Sequence, residues 1–61
     1  MTGTRRFSVV CRNTKGKIIL SGLFDVDASF SDAQSEIAIN NILKQVIKED
    51  YTFVITEVKN E

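Results

Sequence analysis

Hydrophobic and polar positions alternate along the first part of the chain in the pattern typical of β-strands. Within residues 5–12, Phe7, Val9 and Cys11 lie on one side, and mostly polar residues lie between them. The alternation resumes over residues 17–26, where Ile18, Leu20, Gly22, Phe24 and Val26 share the same side. These two stretches predict two half-buried strands.

The segment between the two predicted strands has the residues of a tight turn. Asn13 occupies the first position and Gly16 the last, as a type I turn prefers, so we expect an antiparallel hairpin. Gly22 lies inside the second strand, where a glycine usually marks a bulge or a close approach of another backbone. We expect one of these two features at Gly22.

A helix is predicted from Asp32 to about Glu49. Ser31 with Gln34 forms a capping box, although Ser29 with Asp32 offers a second possible start. Apolar residues then recur with the 3.6-residue period of a helix, which places a hydrophobic stripe toward the sheet. The stripe consists of Ala38, Ile39, Ile42, Leu43, Val46 and Ile47.

Residues 51–58 are rich in β-branched and aromatic residues and predict a third strand. The order is therefore β-β-α-β, which indicates a small single α+β domain with a three-stranded, mainly antiparallel sheet and one helix on one face. We favour the strand order 2-1-3, and the alternative places the third strand parallel to the second. Residues 1–4 and 59–61 are expected to be flexible ends of this domain.

The chain length makes association with another chain an attractive interpretation. A domain of 61 residues has a thin core, which small proteins usually reinforce with a disulfide, a metal or a partner chain. The sequence has one cysteine and no histidine, which excludes an internal disulfide and the usual structural zinc sites. We therefore expect a homodimer or a complex with a larger protein.

The single helix can cover only one face of the sheet, and we expect it to cover the side that carries Phe7, Ile18 and Phe53. The other face is unusually apolar. Strand propensity alone would explain scattered valines, but we favour a partner interface that includes either this face or the exposed edge of the second strand. Ile37, which projects from the polar side of the helix, is a further candidate. The interface residues proposed for the uncovered face are Val10, Ile19, Leu23, Val54 and Val58.

The formal net charge is zero, but its distribution is uneven. Residues 1–17 contain five basic residues and no acidic ones, which supports an alternative role as a nucleic-acid-binding regulator that uses the basic hairpin. The sequence pI of about 6.2 and the lack of exposed aromatic residues among these cations weaken that alternative. The candidate residues are Arg5, Arg6, Arg12, Lys15 and Lys17.

The sequence offers little chemistry for catalysis. Without histidine, Cys11 lacks its usual activating base, and we expect it to be a buried structural thiol. Residues 25–36 resemble a calcium loop in their acidic spacing, but Phe30 replaces the required glycine. We predict no enzyme activity, cofactor, metal site, small-molecule substrate or membrane association.

The resulting hypothesis is a small cytoplasmic protein–protein interaction module that acts as an accessory factor, inhibitor or adaptor. The cytoplasm is expected because no signal segment, membrane span or disulfide pattern is evident. Small accessory proteins of phages and other mobile elements offer an analogy for such a module.

Overall fold

The first strand lies at the centre of the sheet because it pairs with a neighbour on each side. The computed structural model describes residues 3–59, and the predicted flexible ends fall partly outside that range. The elements are β1 (Thr4–Asn13), β2 (Ile18–Asp27), α1 (Asp32–Val46) and β3 (Tyr51–Val58). Both strand pairs are antiparallel, and the sheet order is β2-β1-β3. The predicted α+β architecture and strand order are confirmed, and the alternative in which β3 pairs with β2 in parallel is wrong.

The ends of the described chain are close to these elements. Thr4, within the predicted flexible N-terminal segment, is the first residue of β1. The carbonyl oxygen of Gly3 accepts a hydrogen bond from the N–H of Ala28 at 3.1 Å. Lys59 follows β3 directly, and residues 1–2 and 60–61 lie outside the described residues.

The predicted turn closes the β1–β2 hairpin. The N–H of Gly16 donates to the carbonyl oxygen of Asn13 at 2.9 Å, and the Asn13 side chain accepts from the N–H groups of Lys15 and Lys17. Gly16 has φ of +83°, a left-handed conformation that favours glycine. The turn residues therefore satisfy the backbone donors where the chain reverses.

A β-bulge lies next to this turn, and the prediction of a bulge or close approach at Gly22 was wrong. Cys11 pairs with Leu20 but Arg12 pairs with Ile18, which leaves Ile19 as the extra residue. Gly22 pairs in register with Val9, and a Cβ atom there would meet nothing within 4 Å in the described structure. The register shift thus occurs three residues before Gly22.

The bulge reconciles the turn with the hydrophobic pattern. Without it, the register that the turn imposes would place Ser21 and Leu23 on the helix side of β2. The extra residue moves Phe24 opposite Phe7 and places apolar side chains under the helix. It also places Ile18 opposite Arg12 and leaves it about half exposed, so the expectation that Ile18 lies on the covered face was wrong.

The capping box that begins α1 is confirmed. The Ser31 hydroxyl accepts from the N–H of Gln34 at 3.2 Å, and the Gln34 side chain accepts from the N–H of Ser31 at 2.8 Å. The helix ends at Val46, three residues before the predicted end, because Ile47 adopts an extended conformation. The acidic residues that follow are unfavourable at a helix C-terminus, which is consistent with the earlier end.

The core lies between α1 and the centre of the sheet. Ile39 and Leu43 are fully buried, and they pack against Phe7, Val9 and Val26. Two members of the predicted stripe, Ile42 and Val46, are instead about half exposed.

The helix is turned so that Ser35, rather than Ile42 or Val46, faces the sheet. The buried Ser35 hydroxyl donates to the Ser31 carbonyl at 2.8 Å, which satisfies its hydrogen-bonding potential within the helix. Among residues 3–59, no helix combines the length and apolar character that crossing a membrane requires.

Candidate interaction surface

The side of the sheet opposite α1 is called the open face. The strand register aligns its residues in four rows across β2, β1 and β3. From one end to the other, the rows are Asp25–Arg6–Val58, Leu23–Ser8–Thr56, Ser21–Val10–Val54 and Ile18–Arg12–Thr52. The two central rows contain no charged residue.

Four of the five interface residues predicted on the uncovered face lie in these rows. The side chains of Leu23 and Val54 are the most accessible, at 61% and 68% exposed. Val58 is more than one-third exposed and Val10 is half-buried, beside Val54 on the neighbouring strand. Ile19 is the half-buried extra residue of the bulge. The centre of the open face is therefore apolar and hydroxyl-bearing.

Charged residues are confined to the two ends of the open face. At one end, Arg6 donates from Nε to Asp25 Oδ1 at 2.9 Å. This hydrogen bond lowers the pKa of Asp25 and raises that of Arg6. Arg12 lies in the row at the opposite end, so charge flanks the central rows without interrupting them.

Arg5, the neighbour of Arg6, lies on the helix side of the sheet and joins three segments. Its guanidinium donates to both oxygens of Glu57, at 3.1 and 3.0 Å, and to Asp32 at 2.7 Å. It also donates to the carbonyl oxygen of Phe30 at 2.7 Å and lies over the ring of Phe7, 5.1 Å from its centroid. The start of α1 is thereby connected to the end of β3.

The electrostatic effects of this arrangement, called the Arg5 clamp, follow from its hydrogen bonds. The bond from Arg5 is the main cause that lowers the pKa of Glu57. The hydrogen bonds to Glu57, which has the larger effect, and to Asp32 raise the pKa of Arg5 above its ordinary value. Sequence patterns missed the clamp because its partners are far apart along the chain.

The five predicted nucleic-acid-binding residues do not form one surface. Arg5 and Arg6 point to opposite faces of the sheet and are both engaged with carboxylates. Within the described part of the chain, Arg12, Lys15 and Lys17 form no ion pair within 4 Å. The basic candidates not engaged in ion pairs are thus these three, at and beside the hairpin turn.

The predicted helix candidate, Ile37, is separate from the open face. It is 62% exposed on α1, which packs on the other side of the sheet. Ile42 and Val46 add exposed aliphatic surface to the same helix, where the hydrophobic stripe had predicted burial. The structure therefore does not combine Ile37 with the sheet residues in one continuous surface.

The two edges of the sheet differ. β2 contains the Ile19 bulge and has Asp25 and Asp27 near its end. β3 pairs with β1 without a register shift along residues 51–58. α1 lies closest to β2, so the β3 edge is the less covered of the two.

Side chains of β3 on the helix side are only half-buried. Tyr51, Phe53 and Ile55 all remain partly accessible, whereas their partners on β1 are mostly buried. The Tyr51 hydroxyl donates to Asn40 Oδ1 at 2.6 Å, and the Tyr51 and Phe53 ring centroids are 6.2 Å apart. An open depression between α1 and β3 is lined by Tyr51 and Phe53 together with Asn40 and Lys44.

Of the residues considered for chemistry, Cys11 is buried and Asp27 is hydrogen-bonded to Ser29. Cys11 is a free, fully buried thiol, and burial, followed by the charge of Glu49, raises its pKa. Asp27 accepts hydrogen bonds from the N–H and hydroxyl of Ser29, which lower its pKa and stabilise the turn before α1. Residues 3–59 contain no group of three histidine, cysteine, aspartate or glutamate side chains placed to hold a metal ion.

Comparisons of the chain with protein-family models, with curated proteins and with solved structures found no match.

Proposed function

We propose that this domain is a non-enzymatic protein–protein interaction module that docks a partner on its open face. The observation that carries the proposal is the composition of the two central rows. Their exposed Leu23 and Val54 alternate with serine and threonine, and the nearest charges lie only at the ends. Antiparallel sheets that face water usually present polar residues there, so this composition favours contact with another surface.

The same rows contain the polar groups that a protein interface needs. Ser8, Ser21 and Thr56 provide hydroxyl groups that donate or accept hydrogen bonds beside the aliphatic side chains. Burying Leu23 and Val54 contributes the hydrophobic part of the binding energy, while the hydroxyls limit the cost of desolvation. We place the module in a reducing cytoplasm, since Cys11 is a buried free thiol.

A substitution in the open face tests this proposal. Leu23→Asp introduces a charge into one of the two central rows, and we expect it to reduce partner capture from a lysate of the source organism by at least about tenfold. Ile37→Asp makes the same type of change at an equally exposed position on α1. Circular dichroism establishes that both variants are folded before capture is measured by quantitative mass spectrometry.

The outcomes separate the two candidate surfaces. Loss of the same captured protein in Leu23→Asp but not in Ile37→Asp supports the open face. Loss only in Ile37→Asp would assign docking to the helix instead. Equal capture by both variants and by the unmodified protein would contradict the proposal.

Nucleic-acid binding by the hairpin is the alternative proposal, and it depends on Arg12, Lys15 and Lys17. Arg12→Glu should abolish a salt-sensitive shift of DNA or RNA in a gel if that alternative is correct, while Leu23→Asp leaves the shift intact. If the unmodified protein binds neither nucleic acid at low salt, the alternative is excluded.

A further inference from the structure

The β3 edge has features that favour pairing with another strand. Residues 51–56, the first six of the eight residues of β3, are uncharged, contain no proline and are rich in β-branched and aromatic side chains. Edge strands that avoid pairing usually carry lysine, proline or a bulge, and β3 is free of these protections along residues 51–58. Half-buried side chains on one face and exposed Val54 on the other would gain burial if a strand were added.

We propose that β3 pairs antiparallel with β3 of a second copy of this chain, centred on Val54. The two-fold axis of such a dimer is perpendicular to the sheet, so each helix stays on the same side. Residues that pair must then point to the same face, and only registers centred on a single residue satisfy this condition. The product is a six-stranded sheet with the order β2-β1-β3-β3-β1-β2.

Centring on Val54 makes the strand complementary to itself. Val54 lies beside Val54 of the second copy, and Thr52 lies beside its Thr56. On the helix side, Phe53 lies beside Ile55 of the second copy. Valine pairs, threonine pairs and aromatic–aliphatic pairs are favourable neighbours across antiparallel strands.

Charges just outside the strand support the same register. Glu49 lies in a bend two residues before β3, and Lys59 follows β3 directly. Extending the antiparallel pairing beyond the strand brings Glu49 opposite Lys59 of the second copy at both ends. These two ion pairs are related by the symmetry axis. Asp50 lies beside Val58 in this register, at the end of the sheet where both side chains reach solvent.

The neighbouring registers lack this complementarity. Centring on Phe53 places Glu49 opposite Glu57 of the second copy, which is a like-charge contact. Centring on Ile55 places Phe53 opposite Glu57, whose carboxylate is already bound by Arg5. The Val54-centred register avoids the like-charge contact, and it places Tyr51, which carries a hydroxyl group, rather than the fully apolar Phe53 opposite Glu57.

The β2 edge is the less suitable alternative for self-pairing. An antiparallel pair centred on Gly22 would contain the Ile19 bulge twice, and bulges bend a strand and interrupt its ladder. Its centre would also be a glycine, which provides no side chain for packing. Val54 belongs to both the open face and the β3 edge, whereas Leu23 lies on β2, so a substitution of Leu23 tests partner docking separately from the edge dimer.

Charge reversal tests the ion pairs of the proposed dimer. We expect sedimentation equilibrium at low ionic strength to show a dimer for the unmodified protein at about 100 µM, above a micromolar Kd. Glu49→Lys and Lys59→Glu should each weaken the dimer about tenfold, and the double variant should recover it. Glu36→Lys is the matched control, since it makes the same charge change on α1 and should leave the dimer unaffected.

Disulfide trapping tests the register itself, in a Cys11→Ser background. Val54→Cys should give a covalent dimer under mild oxidation, because the two Cα atoms lie about 5 Å apart across the axis. Thr52→Cys alone should not cross-link, since two copies of residue 52 are about 13 Å apart. Mixing Thr52→Cys with Thr56→Cys should restore cross-linking, and Leu23→Asp should leave Val54→Cys trapping unchanged.

Three outcomes would overturn the inference. A monomer at about 100 µM that is also insensitive to trapping at Val54 excludes the edge dimer. Efficient trapping of Gly22→Cys would assign self-pairing to β2. Cross-linking of Thr52→Cys with itself as fast as Val54→Cys would show that no defined β3 register exists.

Discussion

Two pairs of identical neighbours in β1 show how the two faces of the sheet differ. Val9 is fully buried beneath α1, whereas Val10 is half-buried on the open face. The Arg5 side chain is 19% exposed and bound to two carboxylates, whereas that of Arg6 is 47% exposed and bound to one. Residue type is the same in each pair, so the difference arises from the face alone.

The comparison shows that the helix, not the sheet, determines which apolar residues form the core. Covered residues lose contact with water and gain dispersion contacts, so their size and polarity affect folding strongly. The most accessible open-face residues, Leu23 and Val54, remain largely exposed in the folded state, so changes there affect stability weakly. Folding does not require their apolar character, and the proposed association would account for it.

The largest expected difference is between two leucines. Leu43→Ala removes a fully buried side chain from the core and should lower the free energy of unfolding by about 2–5 kcal/mol. The exposed Leu23→Ala should change it by less than about 0.5 kcal/mol. Urea denaturation at low protein concentration measures both, and similar losses for the two variants would contradict the difference between the faces.

Threonine substitutions in β1 sharpen the comparison without changing side-chain shape. Val9→Thr places a hydroxyl in the fully buried position and should cost about 1–3 kcal/mol. Val10→Thr, with a half-buried position beside other hydroxyls, should be close to neutral because threonine also favours strands. Equal denaturation midpoints for the two variants would show that water reaches the side chain at position 9 beneath α1.

Local patterns were sufficient to predict the elements and their order. Alternation identified β1, the β-branched and aromatic content of residues 51–58 identified β3, and the Ser31–Gln34 capping box identified the start of α1. These signals are short in range, since each depends on residues within a few positions of one another. The apolar positions of the open face followed from the same alternation once one helix was assigned to the other face.

Features that depend on distant contacts could not be predicted in this way. Ile18 was assigned to the wrong face because the turn and the apolar pattern of β2 favour different strand registers, and the bulge resolves this conflict. Neither the turn residues nor the apolar pattern alone indicates where the bulge lies. The rotation of α1 that exposes Ile42 depends on how a three-stranded sheet packs beneath it. Arg5 reaches Glu57 across 52 residues, a pairing that no local motif indicates.

Acid should weaken the fold through the same two arginines. The pKa values of Glu57 and Asp25 are lowered in the folded state, mainly by hydrogen bonds from Arg5 and Arg6. Their stabilisation is therefore complete above the ordinary carboxyl pKa and is lost as pH falls through the folded values. We expect Tm to fall between about pH 5 and pH 3.

Replacing each arginine tests how the two faces share this effect. Arg5→Met should reduce the acid dependence of Tm more than Arg6→Met, because the Arg5 clamp is less exposed and joins β1 to both α1 and β3. Thermal scans monitored by circular dichroism at pH 7, 5 and 3 provide the measurement. An equal change in both variants would show that burial of the clamp has no electrostatic consequence.

The smallest expected effect distinguishes two glycines of the hairpin. Gly22→Ala should stabilise the fold by about 0.5 kcal/mol, because a Cβ atom there meets nothing within 4 Å and the unfolded chain loses conformational freedom. Gly16→Ala should instead destabilise it by about 1 kcal/mol, because φ is +83° at that position. Opposite shifts in the urea midpoint are expected, and a loss of stability in Gly22→Ala would mean that α1 approaches β2 more closely than the structure shows.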